Sequence, residues 1–203
     1  MRVLVIGAGG HSREVADLVV ESGHEIAGFV DEAVSGPHRP TGLPVVRSVG
    51  ELDADAVTIA VGDVHARERL FEGLEASYAL PVLVYSSAGV SPYATIGDGC
   101  QVMQNVVVNS SAVVGVNVIL NVGCAVMHDC RVGDHSHIAP GVQLGGGAVV
   151  GARTLVGSGA VVLPGVTVGA DCVVGAGAVV TSDVPDGERV AGVPARAVRG
   201  DVR

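Results

Sequence analysis

The sequence predicts a two-part chain, a small α/β unit followed by an all-β parallel helix of short strands, and three observations carry that prediction. An aliphatic residue stands at every sixth position from Val90 to Val180 without a gap. The composition holds 30 glycines, only 2% aromatic residues and no Trp. Ahead of the repeat, apolar strand-like runs alternate with an amphipathic helical stretch.

The repeat sets the architecture. Its frame runs Val90, Ile96, Val102, Val108 and onward to Val168, Val174 and Val180, and four residues after each member stands a small or β-branched one, from Ala94 and Cys100 to Ala178 and Val184. Both positions are predicted to face inward. A period of six suits neither a helix at about 3.6 nor a plain strand at about 2, but it suits a short strand followed by a tight turn. Three such units close a triangular coil, and roughly five coils stack, each too thin to be stable alone. Glycine follows many of the aliphatic residues (Gly97, Gly115, Gly133, Gly151, Gly157, Gly169, Gly175), where the corner is expected to need permissive backbone angles. Cys100, Cys124, Cys130 and Cys172 all fall on the small inward position. A thiol there is a compact apolar filler, so neither zinc spacing nor a disulfide framework is implied.

In the first part, Arg2 to Ile6 reads as a strand, followed by Gly7-Ala8-Gly9-Gly10-His11 and a helical stretch with Val15, Leu18 and Val19 on one side. Ile26 to Val30 reads as a second strand ending at Asp31-Glu32, and Ala56 to Val61 as a third ending at Gly62-Asp63. Such parallel units bind ligands at the carboxyl ends of their strands. Glycines after the first strand let a phosphate approach a helix N-terminus, and an acidic residue after the second accepts hydrogen bonds from ribose hydroxyls. Ser12 stands where the last glycine of GxGxxG belongs, so a mononucleotide site is favoured over a dinucleotide site, with a purely structural loop as the other reading. The expected domains are 1–85, 86–185 and a tail, 186–203.

A formal net charge of −9 argues against nucleic acid and anionic membrane as partners. With no basic leader and no membrane-length apolar run, the expected location is the cytoplasm. Of the seven histidines, His24, His38 and His65 fall in loops or helix starts and are expected to be solvated. His128 and His135 fall on turns of the repeat and His137 just before Ile138, none inward. From the residues alone, exposed imidazoles at coil edges are general bases, metal ligands or plain surface groups.

The G-x-G-G-H loop on a half-Rossmann domain, then Val126-Met127-His128-Asp129-Cys130 with a histidine nine residues later, and the closing Val190-Ala191-Gly192-Val193-Pro194-Ala195 together carry a resemblance over essentially the whole chain. The chain resembles the PglD/NeuD-like branch of bacterial sugar O- and N-acetyltransferases, hexapeptide-repeat proteins whose β-helix is left-handed, an exception to the usual crossover rule. The resemblance implies a homotrimer without a metal that binds acetyl-CoA between adjacent β-helices. It also implies a nucleotide-linked amino sugar on the N-terminal domain, a UDP-linked 4-amino sugar in the N-acetylating members. By motif, His128 corresponds to the catalytic base and Asp129 to its acidic neighbour, a Glu in the better known N-acetylating members. His137 and the Gly145-Gly146 backbone correspond to the thioester contacts, and Ser158 and Ala176 to positions along CoA. Gly9, Gly10 and His11 match the sugar-nucleotide loop; Asp31 and Glu32 match the acidic pair on the nucleoside, more often two aspartates. Gly62 is followed by Asp63 where Asn is common.

The implied chemistry is direct acetyl transfer to an amine, with neutral His128 taking the proton and backbone N–H groups near Gly145 and Gly146 stabilising the oxyanion. Three alternatives remain open. A sugar O-acetyltransferase uses the same base, a γ-type carbonic anhydrase places three histidines on zinc with a spacing that His128, His135 and His137 do not reproduce, and an inactive nucleotide-binding trimer dispenses with the base.

Overall fold

A computed structural model describes residues 1–198, so the last five residues of the expected tail lie outside the described residues. The N-terminal domain runs β1 (Arg2–Ile6), α1 (Gly10–Glu21), β2 (Glu25–Val30), β3 (Val45–Val46), β4 (Ala56–Ile59) and α2 (Val64–Leu74), with a parallel sheet in the order β3-β2-β1-β4. β1 is apolar throughout its interior because both faces of the sheet are covered. Val3 and Val5 pack with Val15, Leu18 and Val19 of α1, while Leu4 and Ile6 pack with Phe71 of α2. β3, only two residues long, gave no periodic signal.

Beyond the sheet the chain winds into a parallel β-solenoid of three faces with five, eight and six strands. Each strand pairs with the one 18 residues on, as in Val113↔Arg131↔Val149 and His137↔Leu155↔Val173. Val102, Val126, Ile138 and Leu144 fill the interior as the repeat requires, and all four cysteines are free and buried. The ladder gains rungs at both ends, from Leu83–Val84 below and from Arg189–Ala191 above. The apolar core of α1 continues into the solenoid interior without a break.

The glycines that follow the aliphatic residues have a different cause from the one expected. The left-handed conformation falls two residues later, at Asn105, Asn117, Asp129, His135 and Asp171, with φ between 54° and 61°. Gly97, Gly115, Gly133, Gly151 and Gly169 instead form a column where a Cβ would strike the next coil: at Gly133 it would lie 2.5 Å from the Ala152 nitrogen. Close stacking of coils, not backbone freedom, excludes a side chain there.

Two histidines expected to be exposed are buried. His38 is stacked on Phe29 with ring centroids 3.6 Å apart, its Nε2 against Ser12 Oγ at 2.9 Å and its Nδ1 against Thr41 Oγ1 at 3.0 Å. His135 lies edge-on to Phe71 and accepts a hydrogen bond from Asn117 Nδ2 at 2.9 Å. The repeat carries no sign of this cover, because it comes from α2 packing on a corner of the solenoid. Arg67 of α2 is 1% exposed and donates its five N–H groups to backbone carbonyls of Asn117, Val61, Gly62, His135 and Ser136. Burial lowers its pKa to about 10, which leaves it charged at neutral pH.

These features make two predictions. Gly151→Ala should cost about 1–3 kcal/mol by overpacking against Ala170. Gly159→Ala, at φ +68° but with open space around it, should cost only about 1 kcal/mol of backbone strain; urea melts giving the reverse order would show that φ governs the corner. The second concerns acid. Burial lowers His38, His135 and His137 below their ordinary 6.5, with the last at about 4. Between those values the unfolded chain binds protons that the folded chain does not, so stability falls as pH drops below about 6.5. The urea midpoint should therefore be lower at pH 5 than at pH 7.5, and an equal or higher midpoint counts against these buried neutral rings.

Candidate active site

His128 and Asp129 stand on the corner between Ala125–Val126 of the six-stranded face and Arg131–Val132 of the five-stranded face. Asp129 occupies the left-handed position of that corner, φ 61°, which swings its short side chain back onto its neighbour. His128 Nδ1–H donates to Asp129 Oδ2 at 2.8 Å, and both side chains are exposed. One coil up, Gly146 backs the imidazole so closely that a Cβ there would sit 2.6 Å from Nε2. The Gly146 carbonyl accepts from Gly165, and Gly147 N–H donates to the His128 carbonyl at 2.8 Å, tying ring support to the ladder. Of the two backbone N–H groups expected near the thioester, one is engaged within the solenoid. Gly145 N–H is spent on the Val162 carbonyl at 2.9 Å, whereas Gly146 N–H has no backbone acceptor among the described residues.

Ser158 and Ala176 stack on a second corner, between Leu155–Val156 and Val161–Val162, one face away from His128, and both are exposed. The remaining candidates gather on the third, eight-stranded face, where the N-terminal domain sits. Gly9 caps α1 and Gly10 opens it, with open space where each Cβ would be. Ser12, in place of the motif glycine, donates to the Gly9 carbonyl at 2.6 Å and so closes the loop that a glycine would leave loose. His11 Nε2–H donates to Gln101 Oε1 at 3.1 Å, and Gln101 Nε2 in turn donates to Thr58 Oγ1 and the Ile59 carbonyl.

The acidic candidates have structural duties as well. Asp31 accepts from the backbone N–H groups of Ala8, Ala33 and Val34. Burial raises its pKa, and these donors more than offset that, so it lies below the ordinary carboxylate value. Glu32 is exposed. Asp63 is the N-cap of α2, accepting from Ala66 N–H at 2.8 Å. Gly62 offers its carbonyl to Arg67. His137 is held neutral, its pKa lowered to about 4 by burial first and then by the charge of Arg67 and the proximity of His11, with the nearby Gly62 backbone opposing.

Within one chain the candidates thus fall into three groups. His128 and Asp129 lie on the corner opposite the face that carries the Gly9–His11 loop, Gly62 and His137. His128 also stands on a different corner from His135, so the three solenoid histidines do not converge in one chain. Sequence reasoning missed Arg67 and Gln101, polar residues buried where the two domains meet, and Asn121, buried beside His137. It also missed Arg13 and Arg39, which line a cavity of about 160 Å³ beside Ala8, Ser35 and His38. No signal in the repeat marks any of these.

Comparison with known proteins adds the family. Residues 2–74 match the model of the PglD N-terminal domain, residues 147–182 the bacterial transferase hexapeptide (six repeats), and residues 128–152 the hexapeptide repeat of succinyl-transferase. Among curated proteins none matches the chain. The acetyltransferase domain of PglB from Neisseria gonorrhoeae FA1090 is 35% identical with a TM-score of 0.92, over 97% of this chain and 99% of that one. A histidine variant of the perosamine N-acetyltransferase from Caulobacter crescentus, in complex with CoA and GDP-perosamine, is 36% identical with a TM-score of 0.92, over 99% and 98%. PerB from Caulobacter crescentus, also with CoA and GDP-perosamine, is 37% identical with a TM-score of 0.89, over 98% of each chain. Aligned at this identity along nearly its whole length, the chain belongs to the PglD-like family of hexapeptide-repeat sugar acetyltransferases.

Proposed function

We propose that the chain moves the acetyl group of acetyl-CoA onto the amine of a nucleotide-linked 4-amino sugar, with His128 as general base at a site completed by a neighbouring copy. The observation that carries this reading is the 2.8 Å bond from His128 Nδ1–H to Asp129. It fixes the tautomer, so Nε2 keeps its lone pair and faces outward beside Gly146. Nε2 takes the proton as the amine nitrogen attacks the thioester carbonyl, and the free Gly146 N–H is the donor assigned in this reading to the oxyanion. Collapse breaks the carbon–sulfur bond, and the proton returns from His128 to the departing thiolate as CoA. An acyl-enzyme is disfavoured because the cysteines are buried, with Cys100 and Cys124 raised by burial to about 12.

The N-terminal domain supplies the nucleotide side of the reading. Arg13 and Arg39 add positive charge where β1 and β2 end, in a protein of net charge −9, which suits a diphosphate. Amine acetylation is favoured over hydroxyl acetylation because the perosamine N-acetyltransferase is among the relatives. The trimer is supported by geometry. Substrate loops and base lie on opposite sides of one solenoid, and the exposed apolar Val107, Val113, Met127 and Leu163 surround the His128 corner. A neighbouring copy that covers this corner brings His128 to the substrate loops and excludes water from the base.

Incubation with acetyl-CoA and a panel of UDP-, GDP- and dTDP-linked 4-amino sugars should release thiol with at least one of them; silence across the panel removes the reading. His128→Ala should lower kcat by about two to four orders of magnitude while both substrates still bind, and Asp129→Asn should cost about ten- to a hundredfold. Near-normal turnover of His128→Ala would place the base elsewhere. Sedimentation should give a species of three times the 20.3 kDa chain mass, and a fully active monomer at assay concentration would be incompatible with a shared site.

A further inference from the structure

Two glycines at the start of α1 leave the Gly9–Gly10 peptide with no side chain to hold it, and nothing lies within 4 Å of either Cβ position. Its orientation matters, because this trans peptide is planar and its C=O and N–H point in opposite directions. Whatever pins the Gly9 carbonyl therefore aims the Gly10 N–H. Ser12 supplies the pin, its hydroxyl donating to the Gly9 carbonyl at 2.6 Å. Elsewhere in the loop Gly7 N–H is spent on the Val30 carbonyl and Ala8 N–H on Asp31, whereas Gly9 and Gly10 N–H have no acceptor among the described residues.

Ser12 is itself held. It is buried, and the ring of His38, from the loop between β2 and β3, stands 2.9 Å away at Nε2. A hydroxyl has one hydrogen, and Ser12 gives it to Gly9, so His38 Nε2–H is the donor and Ser12 Oγ the acceptor. Nδ1 then keeps the lone pair and accepts from Thr41 Oγ1–H at 3.0 Å, while Thr41 Oγ1 accepts in turn from Leu43 N–H at 3.3 Å. The result is one directed chain, from Leu43 N–H through Thr41, His38 and Ser12 to the Gly9 carbonyl. Stacking on Phe29 fixes the plane of the ring, and burial together with the charge of Arg13 lowers its pKa below 6.5, which keeps it neutral. Arg13 and Arg39 directly follow Ser12 and His38 in sequence and line the cavity of about 160 Å³, so the chain also joins the two segments that carry its positive charge.

We infer that Ser12 and His38 are positioning residues that latch the β2–β3 loop to the start of α1, aim the Gly10 N–H outward and set Arg13 and Arg39 for a diphosphate, and so fix the affinity for the sugar nucleotide. The inference rests on the reading that this loop is the nucleotide site. Calorimetry of the full-length protein with UDP, GDP and dTDP measures that affinity apart from turnover. His38→Leu keeps the bulk but offers Ser12 no donor, and Ser12→Ala releases the Gly9 carbonyl; each should weaken the bound nucleotide about tenfold, the order of one hydrogen bond. His38→Gln places an amide N–H near the Nε2 position and should return the affinity to within about threefold of the wild type. In all three variants the affinity for acetyl-CoA should stay within about twofold, because its site lies on the solenoid. The wild-type ring gives a test that needs no variant: nitrogen NMR of histidine-labelled protein should show His38 as the Nε2–H tautomer. An Nδ1–H tautomer overturns the latch, as does undiminished nucleotide affinity in His38→Leu, an equal loss for acetyl-CoA, or no recovery in a His38→Gln that melts with the wild type. If the wild type binds a nucleotide but acetylates no sugar in the panel, the functional reading falls and calorimetry still decides the latch; if it binds none of the three, both fall.

Discussion

A guanidinium buried with no carboxylate hydrogen-bonded to it among the described residues joins the two halves of this molecule. Taking a full charge out of water is costly unless every donor is satisfied. Arg67 meets that condition with five carbonyls drawn from both domains, so neither domain alone can hold it. The orientation of α2, the cover over His135 and the height of the β4–α2 turn all follow from where those carbonyls lie. The residues around it are correspondingly polar: Asn117 donates back to the Arg67 carbonyl, and Arg153 bridges Glu68 of α2 to Asp171 of the solenoid.

The solenoid acts as a ruler for the chemistry. With an 18-residue step, residues that far apart in sequence share a face or a corner, so His128 meets Gly146 while Ser158 meets Ala176. A base on one corner and substrate loops over the opposite face cannot be reconciled by flexing so rigid a stack. On the proposed reading a second solenoid closes the distance, which would make assembly part of the catalytic geometry and not only of stability.

The solenoid was legible in the sequence because a strict repeat writes the same instruction once per strand. The inward aliphatic frame, the buried thiols and the place of His128 and Asp129 on a turn followed from the frame. The purpose of the glycine column did not, since a sequence does not distinguish a glycine needed for φ from one needed for closeness. The burial of His38 and His135 was equally invisible, because each depends on a partner distant in sequence, Phe29 and Phe71. Gln101 occupies a position that would face solvent on a bare solenoid. Its partners His11, Thr58 and Ile59 all come from the N-terminal domain that lies over it.

The left-handed corner that Asp129 occupies narrows which residues fit beside His128 at low backbone cost. Residues without a Cβ, and those whose short polar side chain bonds locally, accept positive φ at low cost, so glycine, asparagine and aspartate are the economical choices. Coil after coil, most corners take one of these three: Gly123, Gly141 and Gly147, Asn105 and Asn117, Asp171. Beside His128 the proposed reading adds a second demand, a negative charge within one hydrogen bond of the ring. Of the three residues that suit the backbone, only aspartate carries one, so under that reading backbone and chemistry favour the same side chain and the proposed pair adds little conformational strain to the coil that displays it.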